Sequence, residues 1–221
     1  MQEKLYENTC AQFAAQLASK APVPGGGGAA ALIGALAAAL GAMAARLTVG
    51  KKKYLQFEAD HHRLLDGLDR IRERFLALIE ADAAAFEPLS RAYSMDKSDP
   101  DYAAAMREAT LDAASAPLQM MECCAELIAL LEELPEKCSK LLLSDVGCAA
   151  ITAKAALESA SMNVFVNTRL LPEDTEAQHM SCEAAALLDA EVQKGMIVLP
   201  LTSTFSRKVY RIFGACPHQM G

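Results

Sequence analysis

The residues of this 221-residue chain whose type and placement could do chemistry begin with Asp82, a run of glycines at Gly25, Gly26, Gly27 and Gly28, and a run of lysines at Lys51, Lys52 and Lys53. Asp82 follows Leu78 by four residues and precedes Phe86 by four, so a helix that buries those two turns a carboxylate inward with them. An inward carboxylate acquires partners or a raised pKa. It can then move protons or offset a cationic centre, or, as the purely structural alternative, bond to a neighbouring helix end. The four glycines follow Pro22 and Pro24, which exclude helix before them, and precede a segment of alanine, glycine, leucine and methionine. A helix starting near Gly28 or Ala29 exposes the free N–H groups and positive dipole end of its first turn, with almost no side chains to hold off an anionic or carbonyl-bearing ligand. A tightly packed loop with no ligand is equally compatible with these residues. The glycines lack the GxxxxGK[ST] spacing of a phosphate loop, and no apolar strand precedes them. The lysines follow the stop signal Gly50 at the negative dipole end, where cations are favoured and could hold carboxylates; a solvated turn is the alternative.

Other candidate groups point elsewhere. Ser144 and Asp145 open the segment SDVGCAAITAKAALESASMNVFVNT, and both are good N-caps. Glu58, Asp60, His61 and His62 cluster in sequence, but adjacent histidines diverge by about 100° on a helix and no HExxH is present, so a solvated face is expected and no metal site. The seven cysteines lie scattered without CxxC, as reduced thiols of a cytoplasmic protein do.

Helices must position these groups. Leu5, Thr9, Phe13 and Leu17 predict an amphipathic opening helix over 2–19. Gly34, Ala38, Gly41 and Ala45 give the glycine-led helix a nearly bare face against which another helix can lie close. Leu64, Leu68, Ile71, Phe75, Leu78, Phe86, Leu89 and Tyr93 stripe a long helix over 55–94. A loop at 94–101 precedes a helix over 101–134, with a kink or break near Ser115 predicted from Pro117 and an end at Pro135. The SD segment and a last helix over 175–194 complete an all-α, antiparallel bundle of long helices, with residues 1–195 as one domain and 196–221 as a tail of unassigned structure.

Composition narrows the function classes. A net charge of −7 argues against a nucleic-acid partner. The hydrophobic fraction is 52% with 5% aromatics and no tryptophan, which suits small aliphatic residues between close helices. The uncharged run from Gly26 to Ala45 could span a membrane by length, but alanine and glycine are poor membrane formers beside leucine, so a core helix and no membrane association are expected. The bare helix faces invite pairing as a homodimer.

The stretch PGGGGAAALIGALAAALGAMAARLTVGKKKY resembles the signature of the formiminotransferase-cyclodeaminase C-terminal domain family, which includes stand-alone methenyltetrahydrofolate cyclohydrolases. The family's usual PGGGS makes Gly28 a replacement for serine. ADAAAF, Ala81 to Phe86, is similar to the family's DADAEAF-like segment, whose aspartate lies in the folate cleft, with Ala84 in place of the usual glutamate. Ser144–Asp145, and Asn163 and Asn167, resemble its SDxxxAA and FNVxIN motifs. The resemblance fades after Lys194. It implies tetrahydrofolate one-carbon chemistry: hydrolysis of 5,10-methenyltetrahydrofolate to the 10-formyl form or, as the alternative, cyclisation of 5-formiminotetrahydrofolate with loss of ammonia. On that footing Asp82 and Asp145 are the catalytic candidates. Gly25–Gly28, Lys51–Lys53, Ser144, Asn163 and Asn167 are the candidates for binding a folate, polyglutamylated or not, with no tightly bound cofactor. Asp145 and Asn163 are about 27 Å apart along a continuous helix, so the cleft is long or one of them serves a second protomer. A non-catalytic helical assembly protein is the reading from a different class.

Overall fold

A computed structural model describes residues 4–190; the proposed boundary at 195 and the tail 196–221 lie outside them. Six α-helices organise the described residues: α1 (Cys10–Leu17), α2 (Gly26–Arg46), α3 (Glu58–Tyr93), α4 (Tyr102–Lys137), α5 (Leu143–Thr168) and α6, described over 175–190. No strand occurs among the described residues, as expected for the all-α class. Helices α2 to α5 form an up-down-up-down bundle. The start of α2 meets the late part of α3 at Asp82 and the late part of α5 at Asn163, while His61 at the start of α3 bonds to Lys137 at the end of α4. Short connections between consecutive antiparallel helices produce this topology.

Helix α2 is the axis of the core. Ala31, Ala37, Ala38, Ala44 and Ala45 are fully buried on it, against Leu64, Leu68, Ile71, Phe75 and Ile79 of α3 and Leu127 and Leu131 of α4. Two of its glycines are occupied by neighbours. A Cβ on Gly34 would stand 2.5 Å from Cε1 of Phe75, and one on Gly41 would stand 2.7 Å from Cδ2 of Leu131. The backbone of α2 is thus the surface on which its neighbours rest. Gly26–Arg46 and part of Tyr102–Lys137 are long and apolar enough to cross a membrane, and 61% of each such window is buried inside the bundle.

Several boundaries differ from the expectations. The opening segment is a 3₁₀ turn (Leu5–Glu7) followed by α1, because Thr9 and Gln12 form a reciprocal capping box that starts the helix at Cys10. Helix α2 begins at Gly26, before the predicted Gly28 or Ala29, since glycine without a Cβ enters the first turn freely once Pro24 is passed. It ends at Arg46, and Gly50 instead takes the left-handed conformation (φ 74°) in the turn beyond. A 3₁₀ segment (Lys52–Phe57) delays α3 to Glu58. Helix α4 runs unbroken past Pro117 and past Pro135 to Lys137. His61, expected on a solvated face, is 1% exposed and its Nε2 lies 2.8 Å from the carbonyl of Lys137; His62 is exposed. Ser144 and Asp145 cap nothing: α5 starts at Leu143, and neither side chain bonds to its first turn.

Helix propensity alone says that Gly34→Ala should stabilise α2 by up to about 1 kcal/mol. The Phe75 ring reverses the sign. We expect a net loss of about 1–2 kcal/mol from overpacking, read as a lower urea midpoint, with Phe75→Leu restoring part of it in the double variant.

Candidate functional site

The first turn of α2 is built to receive a side chain from another helix. The N–H of Ala29 bonds to the carbonyl of Gly25 at 3.0 Å, which leaves the N–H groups of Gly26, Gly27 and Gly28 without intrahelical partners. Asp82 of α3 lies against them. A Cβ on Gly27 would collide with the Asp82 carboxylate, standing 2.5 Å from Cγ and 2.7 Å from Oδ2. Gly26 is similarly close to Asn163 of α5, with 3.1 Å from its hypothetical Cβ to Oδ1. A Cβ on Gly28 would press Pro24 Cβ at 3.1 Å and stand 3.9 Å from Oδ2 of Asp82, whereas a Cβ on Gly25 would meet nothing within 4 Å.

Burial holds the Asp82 carboxyl above the ordinary carboxylate range, and the Gly28 N–H directed at it works in the opposite direction. The result is a half-buried carboxylate at the positive end of a 21-residue helix, with a proton affinity greater than that of a free aspartate. The two asparagines complete the polar floor. Asn167 Nδ2 donates to the carbonyls of Ala113 at 3.0 Å and Asn163 at 2.9 Å, and Asn163 Nδ2 donates to the Ser159 carbonyl at 2.9 Å. Their amide nitrogens are therefore engaged by backbone, which fixes both side chains in the cleft lining.

These groups line a cleft of about 230 Å³, bounded by Pro22, Val23, Gly25–Gly27, Asp82, Phe86, Leu89, Tyr93, Ala113, Asn163, Val166 and Asn167. A larger groove of about 560 Å³ adjoins it across Pro22, Val23 and Phe86, and carries Gln16, Glu80, Ala84 and Glu87. Helix α1 steadies the strip between the two. Phe13 anchors it in the core, Gln16 Nε2 donates to the Val23 carbonyl at 3.0 Å, and Asn8 Nδ2 donates to Gln16 Oε1 at 3.3 Å.

The remaining expected residues stand at the opposite end of the bundle. Lys51, Lys52 and Lys53 are exposed in the turn after α2. That turn meets the start of α5 through Tyr54, whose hydroxyl accepts from the Lys140 N–H at 3.3 Å, and through Thr48, whose Oγ1 accepts from the Ser139 N–H at 3.0 Å. Ser144 is exposed there and Asp145 is half-buried near Cys138. The structure brings Gly25–Gly28, Asp82, Asn163 and Asn167 together. Within one protomer it does not bring Asp145, Ser144 or the lysines to them, because each end of a continuous α5 serves a different site. Burial pushes the Cys123 and Cys138 thiols up to about 11, and no group of three metal-ligating side chains occurs among the described residues.

Pro22, Val23, Gln16, Phe86, Tyr93 and Val166 also line these cavities, beyond the site residues expected from the sequence. For Phe86 and Tyr93 a signal existed. They continue the apolar stripe of α3, yet Phe86 is only half-buried and Tyr93 is 56% exposed, so the stripe leaves the core where the cleft begins.

Two outcomes test this geometry. Gly27→Ala should displace Asp82, which a change in crystallographic position of the carboxylate would record, while Gly25→Ala leaves it in place. The raised Asp82 pKa also fixes a pH dependence. The folded state binds this proton more tightly than the unfolded chain, so the contribution of Asp82 to stability falls as pH rises from about 4 through the folded pKa and then levels. Asp82→Asn lacks that contribution, so its stability relative to the wild type should increase across the same window in urea unfolding.

Comparison with known proteins identifies what shares this arrangement. The formiminotransferase-cyclodeaminase family profile matches residues 9–186. A methenyltetrahydrofolate cyclohydrolase of Methylorubrum extorquens is 39% identical over 184 residues, covering 81% of this chain and 88% of that protein. The formimidoyltransferase-cyclodeaminase of Mus musculus is 26% identical over 202 residues, 90% of this chain but 37% of that longer protein. The crystal structure of formiminotetrahydrofolate cyclodeaminase from Thermotoga maritima superposes with a TM-score of 0.79 at 28% identity, over 89% of this chain and 98% of that one. A profile match from α1 to α6 and an identity of 39% over four-fifths of the sequence agree with the resemblance read from the glycine signature: the chain belongs to the formiminotransferase-cyclodeaminase family.

Proposed function

We propose that the protein hydrolyses 5,10-methenyltetrahydrofolate to 10-formyltetrahydrofolate, with Asp82 as the proton-carrying group. The observation that carries this reading is the half-buried Asp82 carboxylate set on the side-chain-free first turn of α2 at the floor of a cleft. The reaction starts from a cationic amidinium carbon and passes through a tetrahedral water adduct. A carboxylate beside that carbon offsets the cation and takes a proton from the attacking water. A raised pKa brings Asp82 closer to the operating pH and so improves it as a base. In this reading the N–H groups of Gly26 and Gly27 receive the oxygen as it gains negative charge, and Asn163 and Asn167 orient polar edges of the pterin. The adduct then collapses to the 10-formyl product by breaking its bond to N5, which takes up the proton that Asp82 removed from water; each step is a proton transfer, an addition of water or this C–N cleavage, so the mechanism asks for no bound cofactor.

A second copy of the chain completes this reading. Leu36, Met43 and Leu47 of α2 and Ile151 and Met162 of α5 are exposed on two adjacent antiparallel helices. A two-fold axis perpendicular to those helices, in the plane of their outer face, covers the apolar side chains and exchanges the two ends of the bundle. It sets the partner's Asp145 and lysine turn beside this protomer's Asp82 cleft, where Asp145 becomes the second carboxylate and the lysines pair with the glutamate arm or its polyglutamate extension. The exposed thiols of Cys10, Cys148 and Cys182 suit a reducing cytoplasm, and the acidic surface suits neither nucleic acid nor an anionic membrane face.

The assay follows loss of the near-ultraviolet absorbance of 5,10-methenyltetrahydrofolate against the uncatalysed rate. We expect acceleration by the wild type and a loss of at least about 100-fold in Asp82→Asn. The structural likeness to the Thermotoga maritima cyclodeaminase favours a second reading, release of ammonia from 5-formiminotetrahydrofolate. Ammonia release without methenyl hydrolysis would select it, and failure to bind either folate would leave a non-catalytic assembly protein. The shared site has its own test. Asp82→Asn and Asp145→Asn, each impaired alone, should recover about a quarter of wild-type turnover after subunit exchange, since half of the dimers then hold one intact site. No recovery would place both aspartates in one protomer's site or remove Asp145 from the mechanism.

A further inference from the structure

The cleft that Asp82 floors continues along α3 beyond the groups the chemistry uses. Asp82, Phe86, Leu89 and Tyr93 follow at spacings of four, three and four, so they share one helix face. From Asp82 to Tyr93 that face is about 16 Å long. Its character changes along the way. The deep end is polar, with the carboxylate, the unpaired glycine N–H groups and the two asparagines, whereas the outer end is apolar. There Tyr93 is 56% exposed, and Val166 of α5, lining the same cleft, is 61% exposed. An aromatic ring and a branched aliphatic side chain left in water at the edge of a cleft form a contact surface for an apolar group.

We infer that Tyr93 and Val166 form an apolar clamp for the aryl ring of a substrate whose cationic heterocycle rests on Asp82, an inference that depends on the folate reading above. The occupant is the substrate rather than a separate ligand because both residues line the cleft that holds the carboxylate. Polarity runs in the same order along cleft and substrate: charge and hydrogen-bonding groups at the inner end, an aromatic ring next, and solvent beyond for a charged arm. Tyr93 is thus a substrate-positioning residue that touches the aryl ring and takes no part in proton transfer. A ring seated on a tyrosine face contributes roughly tenfold in binding.

The experiment compares the wild type, Tyr93→Ala, Tyr93→Phe and Val166→Ala on two substrates: 5,10-methenyltetrahydrofolate, and the same methenyl-bridged heterocycle with a methyl group replacing the aminobenzoylglutamate arm. With the full substrate, Tyr93→Ala should raise KM about tenfold and leave kcat within about twofold. Val166→Ala should raise KM about threefold, and Tyr93→Phe should match the wild type. With the truncated substrate, no variant should differ from the wild type in KM. The clamp is overturned if Tyr93→Ala leaves the KM of the full substrate unmoved, or raises that of both substrates equally. It is also overturned if light scattering shows that the loss follows dissociation of the protein, which would make a second copy of the chain the occupant of this surface. A wild type that neither turns over nor binds either compound removes the folate reading and the clamp with it, whereas wild-type turnover with an unmoved Tyr93→Ala removes the clamp alone.

Discussion

Everything in this structure depends on helix α2 presenting backbone where other helices present side chains. Between Gly26 and Ala45 the neighbouring helices meet alanine or glycine at every buried position, so the bundle closes on its own axis at short range. The Phe75 ring, a Leu131 methyl and the Asp82 carboxylate occupy the space a Cβ would have filled at Gly34, Gly41 and Gly27. The first two contacts are packing. The third has the same geometry, but it occurs at the helix end, where N–H groups are unpaired, and involves a charged group. One device therefore makes both the core and the site, and the site is the place where the core packing runs out of helix.

The same economy sets the electrostatics. A carboxylate pressed against backbone loses water, which favours its protonated form, and gains N–H groups and a helix dipole, which favour its charged form. Desolvation is the larger effect at Asp82, so the group holds a proton more readily than an exposed aspartate. The charged residues away from the cleft show the reverse. Asp60 and Glu133 share Lys137 and Arg63 on the surface and are held below their ordinary values by those cations. Such pairs are common on solvated helices and contribute little. Among the described residues no cation pairs with Asp82, which is what an incoming cationic reactant could supply.

Much of this was legible in the chain. The bundle could be read because apolar periodicity over four long segments leaves few other architectures, and Asp82 because it was the one polar residue in a stripe whose other members had to be buried. The glycines were recognised as an open helix start, though their partners could not be, since which side chain fills a missing Cβ is decided by helices distant in sequence. The ends of elements were read less well. Thr9 with Gln12 moved the first helix, and neither Pro117 nor Pro135 ended α4. The buried His61 escaped because its partner is a backbone carbonyl 76 residues away, at a helix end that no periodicity reveals. Phe86 and Tyr93 were placed in the core by their spacing, and only the loss of a facing helix shows where the stripe becomes the wall of a cleft.

The glycine turn is not uniform. Position 27 is filled by a carboxylate, position 28 is hemmed by Pro24, and position 26 touches Asn163, but a Cβ at position 25 meets nothing, and its extended backbone (φ −115°, ψ −155°) suits any residue. A designer who wished to retune this catalyst would therefore have one vacant socket facing the cleft. A side chain installed there reaches the reacting groups without asking the bundle to move, so altered selectivity can be sought independently of foldability.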